Sequence, residues 1–316
     1  MGRILTLVGI LFVGVIGLLA LLRHEPKAQE ERPIEITVGA QNIPPQAELA
    51  AAVEVSPYPE FVPMSRMEEF FNVGLPKLPV VETVTYSSRA PFVEGRPAWI
   101  ADYASHYKTS RHFIARSLNR GPNYERQEVS NGAKFNVLKA DKPISFHLVV
   151  DTSDCTLSLY YLDEERGERT LVKRCKVGLG RPDGKRASGM LTPWGSYSLG
   201  EKIAVYRPGA MGQYNRDKVE MIQVFGTRWI PFDQEIGECT EPAQGFGIHG
   251  CPWVLNEAGE LVEDTSGLGR YESDGCIRLR TEDMEEIFAV IITRPSTLYL
   301  VPHKEEAKLP GTEVVS

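Results

Sequence analysis

Two short segments of this sequence hold the residues best suited to chemistry, and glycines stand beside both. His249 lies between Gly247-Ile248 and Gly250, and Cys276 follows Gly275, with 26 residues between the histidine and the cysteine. A cysteine attacks only as its thiolate, and a neighbouring imidazole is the usual base that removes the thiol proton near neutral pH. The glycines leave room for a substrate carbonyl beside the backbone, where an N–H group can face a developing oxyanion. The two segments therefore predict a thiol nucleophile and its base.

Other residues fit such roles less well. Cys251 is the alternative nucleophile, because strand geometry would keep it on the same side as His249. A zinc site is not expected, because the sequence has no Cys-x2-Cys pair and no second histidine near His249. Ser105 and Lys108 match the Ser-x-x-Lys motif of serine enzymes that bind penicillin, but the companion Lys-Thr-Gly is missing.

The order of these residues resembles the pattern of the YkuD-type L,D-transpeptidases, an upstream His-Gly followed by Ser/Thr-His-Gly-Cys, an apolar residue and Arg or Asn. The positions that match are His249, Gly250, Ser273, Gly275, Cys276, Ile277 and Arg278. The resemblance covers residues 143–303. The chain departs from the pattern at Asp274, where the family usually has histidine, and in the longer loop between His249 and Ser273.

The resemblance implies an acyl transfer in two steps, with no metal and no organic cofactor. Cys276 would be the nucleophile and His249 its base, with the ring oriented by the carbonyl of Gly250. Backbone amides near Gly275 and Cys276 would stabilise the oxyanion. The acyl donor would be a tetrapeptide stem of peptidoglycan that ends in D-alanine, and the acceptor an amine of a second stem. Water as acceptor would make the enzyme a carboxypeptidase, and a protein lysine would make it an anchoring transferase.

Four residues around the cysteine are candidate substrate-binding groups, and three of them have a structural alternative. Arg278 is suited to hold a substrate carboxylate with its two-pronged guanidinium, or else it pairs with Asp274 or Glu272 and braces the loop. Ser273 either binds substrate or forms hydrogen bonds within its own turn. Asp274 would orient a water or a substrate amine. Tyr271 either lines the substrate groove or packs against neighbouring residues.

The residues around this site predict a mainly β catalytic domain, YkuD-like, at residues 141–303. From Ile144 onward, short runs that alternate apolar and polar residues are separated by clusters of Gly, Pro and Asp. After the cysteine, Thr281 is expected to cap a helix with a buried apolar stripe. The members of that stripe are Met284, Ile287, Phe288 and Ile291. Residues 304–316 are predicted to be a loose polar tail.

A small α+β module is predicted at residues 92–140. Two short helices, the second capped by Thr109 or Ser110, precede a strand. This arrangement resembles a LysM module, which implies glycan strands of peptidoglycan as a partner, although the opening Gly-Asp-Thr is absent. The positions that fit are Tyr107, Thr109, Asn119, Gly132, Phe135 and Val137. The alternative is a helical adaptor without a ligand.

The N-terminal part of the sequence predicts a membrane attachment. Residues 4–22 are 19 residues, apolar apart from Thr6 and glycines, which is long enough for one transmembrane helix. We assign residues 1–23 to an uncleaved signal anchor, with a cleaved signal peptide as the alternative. Residues 24–91 are rich in proline and are predicted to be a flexible linker. The catalytic body is then expected outside the cytoplasm, held to the inner membrane.

Charge and cysteine content restrict the partners and the redox state. The chain has 35 basic and 42 acidic side chains and no run of Lys or Arg, so nucleic acid is not an expected partner. Five cysteines leave at least one thiol free in a monomer. Cys155 and Cys175 flank a hairpin centred near Glu165, and a symmetric register would make them face each other, as a disulfide or as two thiols. Cys239 and Cys251 form a second possible pair, which would leave Cys276 free.

A hypothesis from a different class also fits the sequence. The chain would be a membrane-tethered protein that binds peptidoglycan without catalysis, with Cys276 inert or regulatory. This hypothesis depends on the LysM-like module and on Asp274, the departure from the catalytic pattern.

Overall fold

A mixed β-sheet runs through the described part of the chain and carries the predicted site at one of its edges. This computed structural model describes residues 61–314, except residues 75, 122–128, 201–202 and 293. These residues belong to one compact unit that spans residues 36–316. Among them no helix has the length and apolar character that crossing a membrane requires. The predicted transmembrane helix at residues 4–22 lies outside the described residues.

The described chain before residue 140 contains a small two-stranded sheet and three helices, and it contributes one short strand, β1, to the main sheet. Its elements are β1 (Met64–Ser65), α1 (Glu68–Phe71), β2 (Val81–Thr85), α2 (Ile100–His106), α3 (Arg111–Asn119) and β3 (Lys134–Leu138). Strand β2 pairs antiparallel with β3. Ser110 caps α3 as predicted, because its hydroxyl accepts a hydrogen bond from the N–H of Phe113 at 2.9 Å.

The rest of the described chain forms the main sheet, three further two-stranded sheets and two helices. Up to the first of these helices the elements are β4 (Ile144–Asp151), β5 (Thr156–Asp163), β6 (Glu168–Lys176), β7 (Leu179–Gly180), β8 (Gly195–Leu199), β9 (Ala204–Val205), β10 (Met211–Tyr214), β11 (Asp217–Glu220) and α4 (Ile222–Phe225). They continue with β12 (Arg228–Glu235), β13 (Gly247–Gly250), β14 (Trp253–Leu255), β15 (Leu261–Glu263), β16 (Tyr271–Ser273), β17 (Ile277–Leu279), α5 (Thr281–Ile291), β18 (Ser296–Val301) and β19 (Thr312–Glu313). This content confirms the predicted mainly β fold.

Within the described residues, the strand order of the main sheet is β1-β6-β5-β4-β18-β8-β12-β13-β17. Strand β19 pairs with β6 and β9 pairs with β12, off this path. The smaller sheets are β10-β11, β14-β15 and β16-β7. Helix α5 packs on the main sheet through the predicted stripe, whose four members are buried. The parallel pair β13-β17 therefore lies at one end of the sheet and β1 at the other.

The predicted flexible linker at residues 24–91 is wrong for its described part, which starts at residue 61. Phe70 and Phe71 of α1 are buried in the main core, as are Leu78 and Val80. Several apolar residues of this described part are therefore core residues. Strand β2 pairs with β3 of the predicted module, so the module's sheet begins upstream of the predicted boundary at residue 92.

The predicted loose tail at residues 304–316 is also ordered over its described part. A 3-10 turn at Lys304–Glu306 precedes β19, and β19 pairs parallel with β6. The polar residues of this segment lie at the sheet edge, where ladder hydrogen bonds rather than apolar burial hold them.

The expectation that Cys155 and Cys175 face each other is wrong, and all five cysteines are free. Cys175 lies opposite Leu157, because the register of the β5-β6 hairpin shifts between Leu159 and Tyr160. Cys155 precedes β5 with a left-handed backbone, φ +50°, and so lies outside the ladder. Cys175 is therefore two residues out of the symmetric register: the turn is centred between Glu165 and Arg166, and the shift in the ladder adds one residue more.

Candidate active site

The predicted base and nucleophile lie on neighbouring strands at the end of the main sheet. His249 is on β13, and Cys276 directly precedes β17, which runs parallel to β13. His249 lies opposite Arg278, and Ile248 lies opposite Ile277. Both isoleucines are fully buried in the core. Because side chains alternate along a strand, His249, Cys276 and Arg278 share the other face.

Both reactive side chains pack against the same aromatic cluster. The cluster consists of Met221, Phe225 and Trp229, and Cys276 packs against it. The ring of His249 meets Phe225 edge-on, with 5.2 Å between centroids, and stacks on Trp229 at 5.7 Å. These contacts fix the plane of the imidazole on the side of the sheet where the sulfur lies.

The backbone of the next residue orients the imidazole of His249. Its Nδ1 lies 2.7 Å from the carbonyl oxygen of Gly250. A carbonyl oxygen only accepts hydrogen bonds, so Nδ1 carries the proton and Nε2 presents a lone pair. Burial, and after it the charge of Arg278, lowers the pKa of His249 to about 3. The ring is therefore neutral near pH 7 and able to accept a proton at Nε2.

The thiol of Cys276 is protonated in this state. Burial raises its pKa to about 12, while the N–H of Gly247 and the charge of Arg278 oppose that rise and Asp274 adds to it. The sulfur lies 3.9 Å from the carbonyl oxygen of Gly245, to which the thiol donates a weak hydrogen bond. A protonated thiol beside a neutral imidazole loses its proton during attack rather than before it.

The turn that presents the cysteine depends on Gly275. This glycine has φ +119°, and a Cβ there would lie 2.7 Å from Cε1 of Phe246. Its carbonyl accepts a hydrogen bond from the hydroxyl of Thr192 at 2.9 Å, and its N–H donates to Oγ of Ser273 at 3.1 Å. The N–H predicted to face an oxyanion is thus occupied within the turn. The N–H of Cys276 has no hydrogen-bond partner among the described residues, and is the donor left for that role.

Two of the predicted substrate-binding residues take their structural alternatives. Ser273 is 1% exposed, and its hydroxyl donates to the carbonyl of Cys276 at 2.7 Å as well as accepting from Gly275. The hydroxyl of Tyr271 donates to the carbonyl of Thr152 at 2.7 Å. Both hydroxyls are thus bonded to backbone carbonyl groups of the loops around Cys276.

Arg278 takes neither of the two loop-bracing pairs considered for it. Asp274 pairs with Arg181 at 2.5 Å, and Glu272 pairs with Arg270 at 3.5 Å. Arg278 forms no ion pair with a carboxylate among the described residues, and its Nε is buried without an acceptor. A guanidinium with unused donors therefore lies on the same face as the thiol, as a carboxylate-binding group requires.

Sequence reasoning missed several residues that shape the site. Thr192 is fully buried and links two loops, because its hydroxyl also accepts from the N–H of Gly180 at 2.7 Å. The sequence signal for Thr192 was its place in the segment Thr192-Pro-Trp-Gly, upstream of the histidine. Phe225 and Trp229 had no local signal of a site role, because apolar residues on α4 and β12 are also what a core needs. Arg181 gave no signal of its pairing with Asp274, because 92 residues separate them in the chain.

A thiol and an oriented neutral imidazole, with a free backbone N–H beside the sulfur, make up the machinery of cysteine-dependent acyl transfer. A family model of the YkuD L,D-transpeptidase catalytic domain matches residues 145–315, more than half of the chain. The chain belongs to this family of L,D-transpeptidase catalytic domains. The match ends at residue 315, so the domain extends through β19 rather than ending at residue 303.

Solved structures with similarity to this chain share little sequence with it. One is the structure of Bdellovibrio bacteriovorus Bd1075, at 13% identity and a TM-score of 0.34, covering 50% of this chain and 48% of that one. Another is the helical cell shape determining protein Pgp2 from Campylobacter jejuni, at 18% identity and a TM-score of 0.34, covering 54% of this chain and 51% of that one. The chain thus spans about half the length of each. No curated protein matches it.

The LysM-like resemblance of residues 92–140 gains no support from these comparisons, because the family match begins at residue 145. The helices and strand predicted there are present as α2, α3 and β3. Phe113 and Leu138 of this segment lie in the main core, together with residues of the catalytic domain.

Proposed function

We propose that this chain is a peptidoglycan L,D-transpeptidase in which the thiolate of Cys276 forms an acyl-enzyme on a tetrapeptide stem. One observation carries the proposal. His249 and Cys276 lie on one face of adjacent strands against the same aromatic cluster, with Nδ1 of the histidine held 2.7 Å from the Gly250 carbonyl oxygen. Membership of the family supports the stem peptide as acyl donor.

In the first step, Nε2 of His249 takes the thiol proton as the sulfur of Cys276 attacks the carbonyl carbon that precedes the terminal D-alanine. The carbonyl oxygen becomes an oxyanion that faces the N–H of Cys276. Collapse of this intermediate breaks the amide C–N bond, and the imidazolium returns its proton to the amine of the departing D-alanine. The product is a thioester on Cys276.

In the second step, an amine of a second stem attacks the thioester and His249 takes the proton of that amine. The C–S bond then breaks, and the proton passes from the imidazolium to the leaving sulfur. Arg278 binds a substrate carboxylate through the donors that the protein leaves unused. Asp274, which pairs with Arg181 and lies beside Cys276 in the chain, orients the incoming amine.

The acyl acceptor and the setting of the enzyme complete the proposal. An amine of a second stem gives a cross-link, water gives carboxypeptidase activity, and a protein lysine gives an anchored protein. We place the catalytic body outside the cytoplasm, attached through the apolar segment at residues 4–22, because the proposed substrate lies there. A wall-binding protein without catalysis is the competing proposal.

Mass spectrometry of the protein after incubation with a carbapenem tests the proposal. We expect a mass increase that maps to the peptide containing Cys276, and loss of that increase in Cys276→Ala. The matched control is Cys251→Ala, which removes the alternative nucleophile and is expected to keep the label on Cys276. An unlabelled Cys276 in folded wild-type protein that still binds sacculi would favour the non-catalytic protein.

Mass analysis of muropeptides incubated with the purified protein identifies the acceptor. A cross-linked dimer indicates an amine acceptor, and a tripeptide product indicates water. Cys276→Ala is expected to form neither product, and turnover in that variant would assign the nucleophile to another residue.

A further inference from the structure

A mostly enclosed carboxylate on α5 contacts the side chains of two residues behind the catalytic histidine. Oε1 of Glu285 accepts a hydrogen bond from the hydroxyl of Thr227 at 2.9 Å and lies 3.5 Å from Nη1 of Arg228. The side chain of Glu285 is 11% exposed. Neither Glu285 nor Thr227 is assigned a role by the mechanism proposed above.

The backbone of Thr227 is held at several points. Its carbonyl accepts hydrogen bonds from the N–H of Tyr206 at 2.9 Å and from Nη1 of Arg228 at 2.8 Å. Glu285 therefore fixes the Thr227 side chain directly, and it fixes the Thr227 carbonyl through the arginine that both groups share.

The segment Gly226-Thr227 lies directly against the peptide that orients His249. A Cβ on Gly250 would lie 3.3 Å from the N atom of Thr227. A Cβ on Gly226, which has φ +62°, would lie 2.7 Å from the carbonyl carbon of Gly250. The two backbones thus touch through glycines, and the carbonyl that holds Nδ1 of His249 has little room to rotate while Gly226 stays in place.

We propose that Glu285 is a positioning residue, which holds the Gly226-Thr227 backbone against the Gly250 peptide and so fixes the ring of His249 for catalysis. The inference rests on the proposed function only in taking His249 as the base. Glu285 acts through contact, because it reaches the imidazole only through Thr227 and the Gly250 peptide. Loss of the contact lets the Gly250 carbonyl turn, and Nε2 then no longer faces the sulfur in a fixed direction.

The neighbouring residue on α5 provides a matched control. Glu286 has the same type and the same 11% exposure, and both residues lie near Arg116, at 3.6 Å for Glu285 and 3.7 Å for Glu286. Glu286 pairs instead with Lys173 at 2.8 Å. A loss of folding stability is therefore expected from Glu285→Met and from Glu286→Met alike, whereas only Glu285→Met removes the acceptor of the Thr227 hydroxyl.

The test combines a spectroscopic readout with a kinetic one, both on the full chain. Nitrogen-15 NMR of the imidazole at pH 7 is expected to show the Nδ1-protonated tautomer of His249 in wild type and in Glu286→Met. A mixture of tautomers is expected in Glu285→Met and in Thr227→Val. The rate of carbapenem acylation should fall about 10- to 100-fold in those two variants, as expected for a misplaced catalytic group. Glu285→Gln and Thr227→Ser, which keep the hydrogen bond, should retain most of that rate.

The outcomes separate this inference from the proposed function. If wild-type protein is never acylated, the proposed function fails, and the tautomer comparison still decides whether Glu285 positions the ring. If wild type is acylated and Glu285→Met matches Glu286→Met in both tautomer and rate, the positioning role is overturned.

Discussion

The thiol and the imidazole of this site rest as a neutral pair. Burial lowers the pKa of His249 to about 3 and raises the pKa of Cys276 to about 12, so the proton stays on the sulfur near pH 7. In such a site the thiol loses its proton only when a bound substrate stabilises the charge that develops during attack. A small electrophile makes no such contacts, so it reacts slowly with the protonated thiol. We expect the alkylation of Cys276 by iodoacetamide to keep rising in rate beyond pH 9.

Peptide-resolved mass spectrometry after timed alkylation checks this expectation, because it separates Cys276 from the other four thiols. A rate that reaches a plateau below pH 8 would indicate a stable thiolate–imidazolium pair instead, and would contradict the neutral pair.

A second prediction at this scale concerns Arg278. Replacing it with glutamine removes the guanidinium with unused donors, and kcat/KM for a tetrapeptide substrate should fall about 10- to 100-fold, mainly through KM. The reason is loss of a hydrogen-bonded charge pair with a substrate carboxylate. Steady-state kinetics with a substrate amidated at the terminal carboxylate tests which carboxylate is bound.

Arg181→Gln is the matched control for Arg278→Gln. Arg181 pairs with Asp274, and both side chains are about half exposed, at 46% and 51%. An exposed pair contributes about 0–1 kcal/mol, so little change in KM is expected. Equal losses of activity in the two variants would contradict a specific carboxylate-binding role for Arg278.

At the scale of elements, the turn before β17 decides whether the cysteine is presented at all. Gly275→Ala would place a methyl group 2.7 Å from the ring of Phe246 at φ +119°. We expect a loss of about 1–3 kcal/mol in the free energy of unfolding from backbone strain, and a larger relative loss of activity, because the turn must shift.

Urea unfolding and carbapenem acylation together check the Gly275 prediction. Gly184→Ala is the control, because no atom lies within 4 Å of the added methyl group and its φ is not in the left-handed region. Wild-type acylation in Gly275→Ala would show that the turn tolerates the shift and that its geometry is not critical.

The local elements of the fold are largely predictable from the sequence, and the pairing of strands is not. The cap at Ser110 and the apolar stripe of α5 are written within a few neighbouring residues, so capping rules and periodicity find them. The predicted cap at Thr281 is wrong, because Thr281 is the first residue of α5 and Arg280 is its N-cap. The parallel pairing of β13 with β17 joins segments separated by β14, β15 and β16. No local pattern indicates that pairing, and the resemblance to a known family was needed to place His249 beside Cys276.

The difference between local patterns and long-range packing also explains which site residues the sequence revealed. His249, Cys276 and Gly250 stand out because reactive side chains beside glycines are unusual in a core. Glu285 gives no signal, because an acidic residue on a helix is most often solvated. Its burial follows from the way α5 packs against β12 and α3, and a sequence alone does not show that packing.

At the scale of the whole molecule, three buried histidines make folding sensitive to acid. The pKa is lowered to about 3 for His112 and His249 and to about 4 for His147, mainly by burial. Below the unfolded pKa of about 6.5, the unfolded chain binds protons that the folded chain does not, so stability is lost as the pH falls. At pH 5 each histidine should destabilise the fold by about 2 kcal/mol relative to pH 8.

Urea unfolding between pH 8 and pH 5 measures this loss. The slope near pH 5 should correspond to the uptake of about three protons on unfolding, beyond any change from carboxylates. His147→Gln keeps a polar side chain beside Ser145 and Tyr299 but cannot titrate, so it should reduce the slope by about one proton. A stability that is flat over this range would contradict the neutral state of these rings.

The two ends of the main sheet have a mechanical consequence. Strand β1 is two residues long and pairs with β6 through two ladder positions, whereas β17, the strand that follows Cys276, closes the opposite end of the sheet order. A load that separates β1 from β6 must break these two pairs before it can withdraw the side chains of Phe70 and Phe71 from the core. Unfolding that starts at β1 starts at the strand farthest in sheet order from the sulfur, so its first steps leave His249 and Cys276 in place.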